Sequence, residues 1–260
     1  MASTSKQEWI VQGIPTRVLT AGEGPAIVFI HGTGGSGKVW FNQLRRFEAD
    51  HRVIAPDLPG YGETPLPETI RSIDDYPAFV SALLDAAGVP KAVLVGNSMG
   101  GRVALQMALD HPDRVAGLVL VNASGLKLPG FPIFHVRDAA PEEFAARLYF
   151  RASERGALAE RFVQSPEQVR ARETMLRLTA PPLRHDMQER LGEIRVPTLV
   201  IWGEGDRIIP PVYADAFAEG IPDAQLAMIE RAGHVPMLER PGAVNEAIAR
   251  FLAILPGASR

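Results

Sequence analysis

Residues 26–30, 52–55, 92–95, 117–121, 198–202 and, less cleanly, 225–229 are short runs of apolar side chains that do not alternate with polar ones. A strand without alternation has to be buried on both faces, which implies a parallel sheet with helices packed on either side. Helical periodicity fills the gaps between these runs, over residues 39–47, 73–87 with Gly88 as a stop, 101–109 closed by His111-Pro112, 211–219 and 243–255. Strand and helix in alternation predict a doubly wound, mostly parallel α/β sheet. Ahead of them, Trp9-Ile10-Val11 and Arg17-Val18-Leu19, with a turn at Gly13, read as an antiparallel hairpin at a sheet edge. At 260 residues and 46% hydrophobic content the chain has enough apolar mass for one such core.

One stretch breaks the rhythm. After the Gly/Pro-rich residues 125–132, helical segments near 141–150, 154–163 and 166–179 follow one another without a strand. Ser165-Pro166-Glu167 is a helix start, with a capping serine, proline at the first position and an acid in the first turn. The domain expectation is therefore a core over residues 1–122 and 192–260, with a helical cap inserted over 123–191. A net charge of −3, with arginines scattered among acids, argues against a nucleic-acid surface. The absence of cysteine excludes disulfides and thiolate metal sites. The polar N-terminus has no signal-like apolar region, and no run approaches membrane-spanning length. The expectation is a cytoplasmic protein with a small-molecule partner, no nucleic acid and no membrane span.

The chemistry is concentrated where an apolar run meets a helix, in Val93-Leu94-Val95-Gly96-Asn97-Ser98-Met99-Gly100-Gly101. A G-x-S-x-G turn of this kind holds a serine hydroxyl exposed on a strained strand-to-helix turn, with the next residue's N–H facing the developing oxyanion. In a chain with 24 glycines the pattern is weak alone, and a glycine-rich helix entry would show it too. A serine needs a base, and the base needs an orienting acid. Asp206 follows the apolar run 198–202, and His234 follows 225–229, giving the chain order Ser98, Asp206, His234. All three then lie at C-terminal ends of parallel strands, where open α/β sheets place their sites. Glu204 competes with Asp206 but lies closer to its strand and is expected to face solvent. Asn122 ends the strand before the cap, but its amide carries no charge to stabilise an imidazolium.

A second oxyanion donor is expected from His31-Gly32-Thr33-Gly34-Gly35-Ser36-Gly37, after the first apolar run. The N–H of Thr33 is assigned that role beside the N–H of Met99, with His31, Gly32, Gly34 and Asn97 as supporting loop residues. His31 is expected to tether the loop through its ring hydrogen bonds. The same loop continues as Gly37-Lys38-Val39 and so fits G-x-x-x-x-G-K, but a phosphate-binding loop needs Ser or Thr where this chain has Val39.

Taken together these residues resemble the α/β-hydrolase fold, and the resemblance covers nearly the whole chain. Ala55-Pro56-Asp57-Leu58-Pro59-Gly60-Tyr61-Gly62 is similar to the family's loop after its fourth strand, with Asp57 as a structural turn residue. A serine at the elbow separates the chain from the dehalogenase and epoxide hydrolase branches, which use a carboxylate. Residues 31–40 and Gly96-Asn97-Ser98-Met99-Gly100-Gly101 resemble the carbon–carbon bond hydrolases that cleave vinylogous 1,5-diketones formed by aromatic ring fission. Those enzymes usually carry Trp directly after the histidine. Here Val235-Pro236-Met237-Leu238-Glu239-Arg240-Pro241 follows, which looks more like capped carboxylesterases and lipases.

The leading expectation is a carboxylesterase acting through an acyl-enzyme, with Ser98, His234 and Asp206 as its triad, a small acyl ester as substrate and no metal or organic cofactor. The alternatives are a carbon–carbon hydrolase, or a ligand receptor that keeps the triad without turnover. Arg170 and Arg172, on an arginine-rich helix, are candidates to meet a substrate carboxylate. Phe131, Phe134, Phe144, Leu148, Tyr149, Phe150 and Met175 are candidates for cap core or pocket lining.

Overall fold

The computed structural model describes residues 4–134, 140–150, 166–180, 183 and 187–255. Its centre is an eight-stranded sheet: β1 Ser5–Val11, β2 Ile14–Ala21, β3 Ala26–Ile30, β4 Arg52–Pro56, β5 Ala92–Asn97, β6 Val115–Val121, β7 Thr198–Gly203 and β8 Gln225–Ile229. The order across it is β1-β2-β4-β3-β5-β6-β7-β8. β1, β2 and β4 pair antiparallel, and every later pairing is parallel. Burial follows the sequence pattern. β3, β5 and β7 are buried at every residue, whereas β2 alternates and the edge strands β1 and β8 are mostly exposed. The hairpin turn has positive φ at both Gln12 and Gly13, the two-residue geometry that matches strand twist.

Helices α1 Phe41–Phe47, α2 Tyr76–Ala86, α3 Met99–Asp110, α4 Pro141–Leu148, α5 Pro166–Leu178, α6 Val212–Gly220, α7 Pro236–Glu239 and α8 Pro241–Ala253 follow in chain order. α1 and α2 begin later than periodicity predicts, because 3-10 turns occupy Gly37–Trp40 and Ile73–Asp75. The second turn is fixed by a capping box in which Ser72 and Asp75 satisfy each other's backbone N–H groups. α4 and α5 lie in the connection between β6 and β7, where the cap was expected. The expected helix over 154–163 and its neighbour's cap at Ser165 fall outside the described residues.

The chain leaves β3 toward β4 on one side and, after α2, reaches β5 on the other. The C-terminal ends of β3 and β5 therefore flank a switch point, the crevice where open α/β sheets bind ligands. Strand register brings the loop starts level: Ile30 pairs with Gly96, Asn97 with Val121, Val121 with Ile201 and Gly203 with Ile229.

The approach of α3 to this edge depends on glycine. A Cβ at Gly100 would lie 2.2 Å from the Ile30 carbonyl oxygen, and one at Gly96 would lie 2.2 Å from that of Gly100. Gly100→Ala should destabilise the fold by roughly 3 kcal/mol, the upper range for forced overpacking. Gly192→Ala, where an added Cβ meets nothing within 4 Å, should be neutral in the same denaturant titration. Equal stability of the two variants would contradict this account of the α3 packing.

Candidate active site

Ser98 sits between β5 and α3 with φ 55 and ψ −116, a left-handed conformation that costs a non-glycine residue about 1–3 kcal/mol. Its own peptide groups hold it there. The Ser98 N–H donates to Val121 O at 3.0 Å, while Ser98 O accepts from the N–H groups of Arg102 and Ser124. Ser124 Oγ adds a further bond to the same oxygen at 3.2 Å. Asn97 points its amide sideways, donating to Val121 O and His234 O, both at 3.1 Å. It thereby ties the serine turn to the histidine loop.

His234 Nδ1 lies 2.8 Å from Asp206 Oδ2, and both side chains are buried. The other carboxylate oxygen accepts from the N–H groups of Ile208 and Ile209 at 2.8 and 3.0 Å. Oδ2 also accepts from Asn122 Nδ2 at 2.7 Å. An ionised carboxylate only accepts, so these four donors fix Asp206 with one oxygen aimed at the imidazole. Asn122 itself is anchored by the Gly203 N–H, which donates to its Oδ1 at 3.3 Å. By its place in the sequence Asn122 suggests only an acid position. It is instead a donor to the acid, placed by the register of β6 against β7. Glu204 is exposed.

The loop after β3 is anchored by His31, which is fully buried. Its Nδ1–H donates to Gly32 O at 2.8 Å and its Nε2 accepts from the Leu58 N–H at 2.9 Å, which requires the neutral ring. Burial is the main cause that lowers its pKa below the usual 6.5, against the opposing pull of the Gly32 carbonyl and the Asp57 charge. Gly32 packs close to Ser98, and Gly34 takes positive φ. Thr33 faces the same cavity as Ser98. Its Oγ1 lies 3.6 Å from the sulfur of Met99, the first residue of α3, whose N–H is one of the helix's unpaired N-terminal donors. Tyr61 is buried, with its hydroxyl 3.8 Å from Met99 Sδ, near enough to Thr33 for that side chain to oppose the rise of its pKa, and its ring edge-on to His31. The two expected oxyanion residues thus rest on one aromatic side chain.

The phosphate-loop alternative fails structurally. Lys38 is exposed and faces Glu63, and the Gly37 N–H already donates to Asp57 Oδ1 at 2.7 Å. Asp57 also accepts from the Glu63 N–H, so it acts as a turn residue. Among the described residues no group of three or more His, Cys, Asp or Glu side chains could hold a metal ion.

Ser98, His234 and Thr33 line one cavity of about 240 Å³. Its walls are largely apolar, with Val39, Phe144, Leu148, Ile208, Val235 and Leu238 among them. Phe144, Leu148 and Tyr149 come from the β6–β7 connection, as does α5, which presents Glu167 and Gln168. Gln168 Nε2 donates to Gly34 O at 3.0 Å. Neither of the two arginines expected to meet a carboxylate is among the described residues lining the Ser98 cavity. Arg170, about 200° round the helix from Gln168, lines a separate cavity with Arg177, Thr64 and Leu66. Arg172 follows Gln168 by about one turn of the helix. Phe131 and Phe150 are exposed, and Phe134 lies under the guanidinium of Arg147.

The sequence model of the alpha/beta hydrolase family matches residues 27–247. The chain belongs to that family. Among similar proteins is a 2-hydroxy-6-oxo-6-phenylhexa-2,4-dienoate hydrolase of Burkholderia cepacia, 31% identical over 261 residues, covering 90% of this hydrolase and 89% of that enzyme. A protein of Variovorax paradoxus named as a carbamate hydrolase is 34% identical over 246 residues, covering 89% and 92%. The solved structure of Est816, an N-acyl homoserine lactone degrading enzyme, superposes with a TM-score of 0.80 at 30% identity, covering 94% of this hydrolase and all of that chain. No helix among the described residues is long and apolar enough to cross a membrane.

The buried neutral His31 gives this hydrolase a defined pH response. The unfolded chain takes up a proton on this ring near pH 6.5 while the folded one resists it, so stability is present above that value and declines as pH falls below it. In urea titrations from pH 7.5 to 5.5, His31→Gln should lose stability less steeply than the wild type. Identical slopes would show that His31 is not the neutral tether.

Proposed function

We propose that this hydrolase works through an acyl-enzyme on Ser98, and that its substrate is a vinylogous 1,5-diketone cleaved at the carbon–carbon bond beside the reacting ketone. The observation that carries the reading is the cavity itself, where Ser98 and the Asp206-held His234 share one apolar space. The 31% identity to a dienoate hydrolase over 90% of the chain supports the substrate class, as does the resemblance of residues 31–40 and 96–101 to such enzymes. The ester expectation drawn from the residues after His234 has less support from these relatives and becomes the second reading.

Each residue has a role in this scheme. Ser98 Oγ adds to the ketone carbon as His234 Nε2 takes the hydroxyl proton, and Asp206 stabilises the resulting imidazolium. The N–H groups of Thr33 and Met99 receive the oxyanion, an interaction whose loss typically costs 100- to 1,000-fold per donor. As the intermediate collapses, the electron pair of the breaking carbon–carbon bond passes into the conjugated enone. The dienolate so formed takes its proton from His234, and an acyl group stays on Ser98. Water, activated by the same imidazole, then releases the acid. The connection between β6 and β7 acts as the cap, closing the space above Ser98 with Phe144, Leu148 and Tyr149.

Ester or lactone hydrolysis needs the same machinery with an alkoxide as leaving group. It is favoured by the 30% identity to Est816 and by Val235-Pro236-Met237 after the histidine.

Steady-state kinetics on 2-hydroxy-6-oxo-6-phenylhexa-2,4-dienoate, p-nitrophenyl butyrate and an N-acyl homoserine lactone separate the readings. The dienoate should have the highest kcat/KM, and Ser98→Ala should lower it by about 10⁴-fold or more. A higher kcat/KM for either ester would overturn the carbon–carbon assignment. Product that stops near one equivalent on every substrate would point to a receptor.

A further inference from the structure

Every backbone polar group of Gly233 and His234 is held by a different part of the molecule. Asn97 at the end of β5 donates to His234 O, and Asn122 at the end of β6 reaches Gly233 O at 3.5 Å. The two N–H groups go elsewhere. That of His234 donates to Leu148 O at 2.8 Å, across to the end of α4. That of Gly233 donates to Glu239 Oε2 at 2.5 Å, and the other oxygen of the same carboxylate accepts from the Phe150 N–H at 2.7 Å. Arg207, next to Asp206, adds a bond from its guanidinium to Tyr149 O at 2.8 Å.

The fit between these segments is close. A Cβ at Gly233 would stand 2.6 Å from Leu148 O, and one at Gly205 would stand 2.3 Å from the Phe150 ring. Residues 148–150 therefore dock against the two loops that carry His234 and Asp206, and Leu148 and Tyr149 also form a wall of the Ser98 cavity. Glu239 is the side chain that grips both sides of this seam.

We propose that Glu239 is a positioning residue, a carboxylate clamp that fixes the Leu148–Phe150 segment to the His234 loop so that docking of the β6–β7 connection sets the position of the base. The inference rests on the reading of Ser98 and His234 as nucleophile and base. The physical case is one of valence. Two N–H donors converge on Glu239, and a carboxylate offers each an acceptor oxygen. Gly233 is buried, so its N–H would lack a partner without Glu239, and a buried donor left unpaired is costly, whereas the Phe150 N–H is at an exposed residue and its bond serves to tie the segment down. A base held by its backbone on four sides keeps a fixed imidazole, whereas releasing one side allows the ångström-scale drift that erodes catalysis.

Glu239→Gln keeps the volume of the side chain and removes one acceptor, leaving one of the two N–H groups facing an amide donor. Amide hydrogen exchange should become about tenfold faster in peptides containing Gly233 or Phe150, as a local opening requires. For the substrate that the wild-type protein turns over, kcat should fall by about tenfold with KM changed far less, because a displaced base affects the chemical steps. Exchange unchanged at both sites would overturn the clamp whatever the activity. Faster exchange with kcat unchanged per folded molecule would overturn the positioning role and leave Glu239 as a stabilising residue only. Failure of the nucleophile reading shows separately, as wild-type protein without turnover, and the exchange measurement still decides the clamp.

Discussion

The left-handed backbone at Ser98 is the constraint on which the site depends. A strand must end, a helix must begin, and the residue between them must stay in a conformation that L-residues avoid. It is held because the Ser98 peptide bonds to Val121 on one side and to Arg102 and Ser124 on the other, and because glycines at 96 and 100 let α3 close against β3 and β5. The turn places Ser98 on the wall of the cavity, directly before the first residue of α3. Local destabilisation at the serine is thus offset by packing over three strands, a common pattern for reactive residues.

Around that turn, neutral donors and one carboxylate do the electrostatic work. Asp206 is surrounded by two backbone N–H groups, an asparagine amide and the imidazole, and among the described residues no lysine or arginine bonds to its oxygens. A guanidinium there would compete with the imidazolium for the charge, whereas amide donors orient the carboxylate and leave its charge to the histidine. The loop after β3 follows a similar logic. His31 bonds in its neutral form to two backbone groups, and Asp57 takes the Gly37 N–H that a phosphate would otherwise need. Rigid, preorganised donors of this kind supply most of the stabilisation that acyl-transfer sites achieve.

The sheet and the Ser98, Asp206 and His234 positions were legible in the sequence because each is dictated locally. Non-alternating strands, the glycines of the elbow and the placement of an acid and a histidine after successive strands all show within a few residues. Boundaries were less legible. α3 starts at Met99 rather than at residue 101, because Gly100, a poor helix former, is kept there for its contact with Ile30. Asn122, Gln168 and Glu239 were not assigned their parts because those parts depend on partners 84, 134 and 89 residues away. The placing of Arg170 and Arg172 was not legible for a related reason, since a helix pattern gives the faces of α5 but not which one meets the loop at Gly34. The substrate class is the least local property of all. It depends on the shape of the cavity between two distant segments, and the motifs beside Ser98 and after His234 point to different members of one family.

The central proposal is that Ser98 forms a covalent intermediate whose oxyanion is held by the N–H groups of Thr33 and Met99. A crystal structure of the protein after reaction with an alkyl fluorophosphonate tests it most directly, because the phosphonyl group mimics the tetrahedral intermediate. The account predicts a single adduct on Ser98 Oγ, with the phosphonyl oxygen within hydrogen-bond distance of both N–H groups. An adduct on another residue, or a phosphonyl oxygen turned away from Thr33 and Met99, would contradict it.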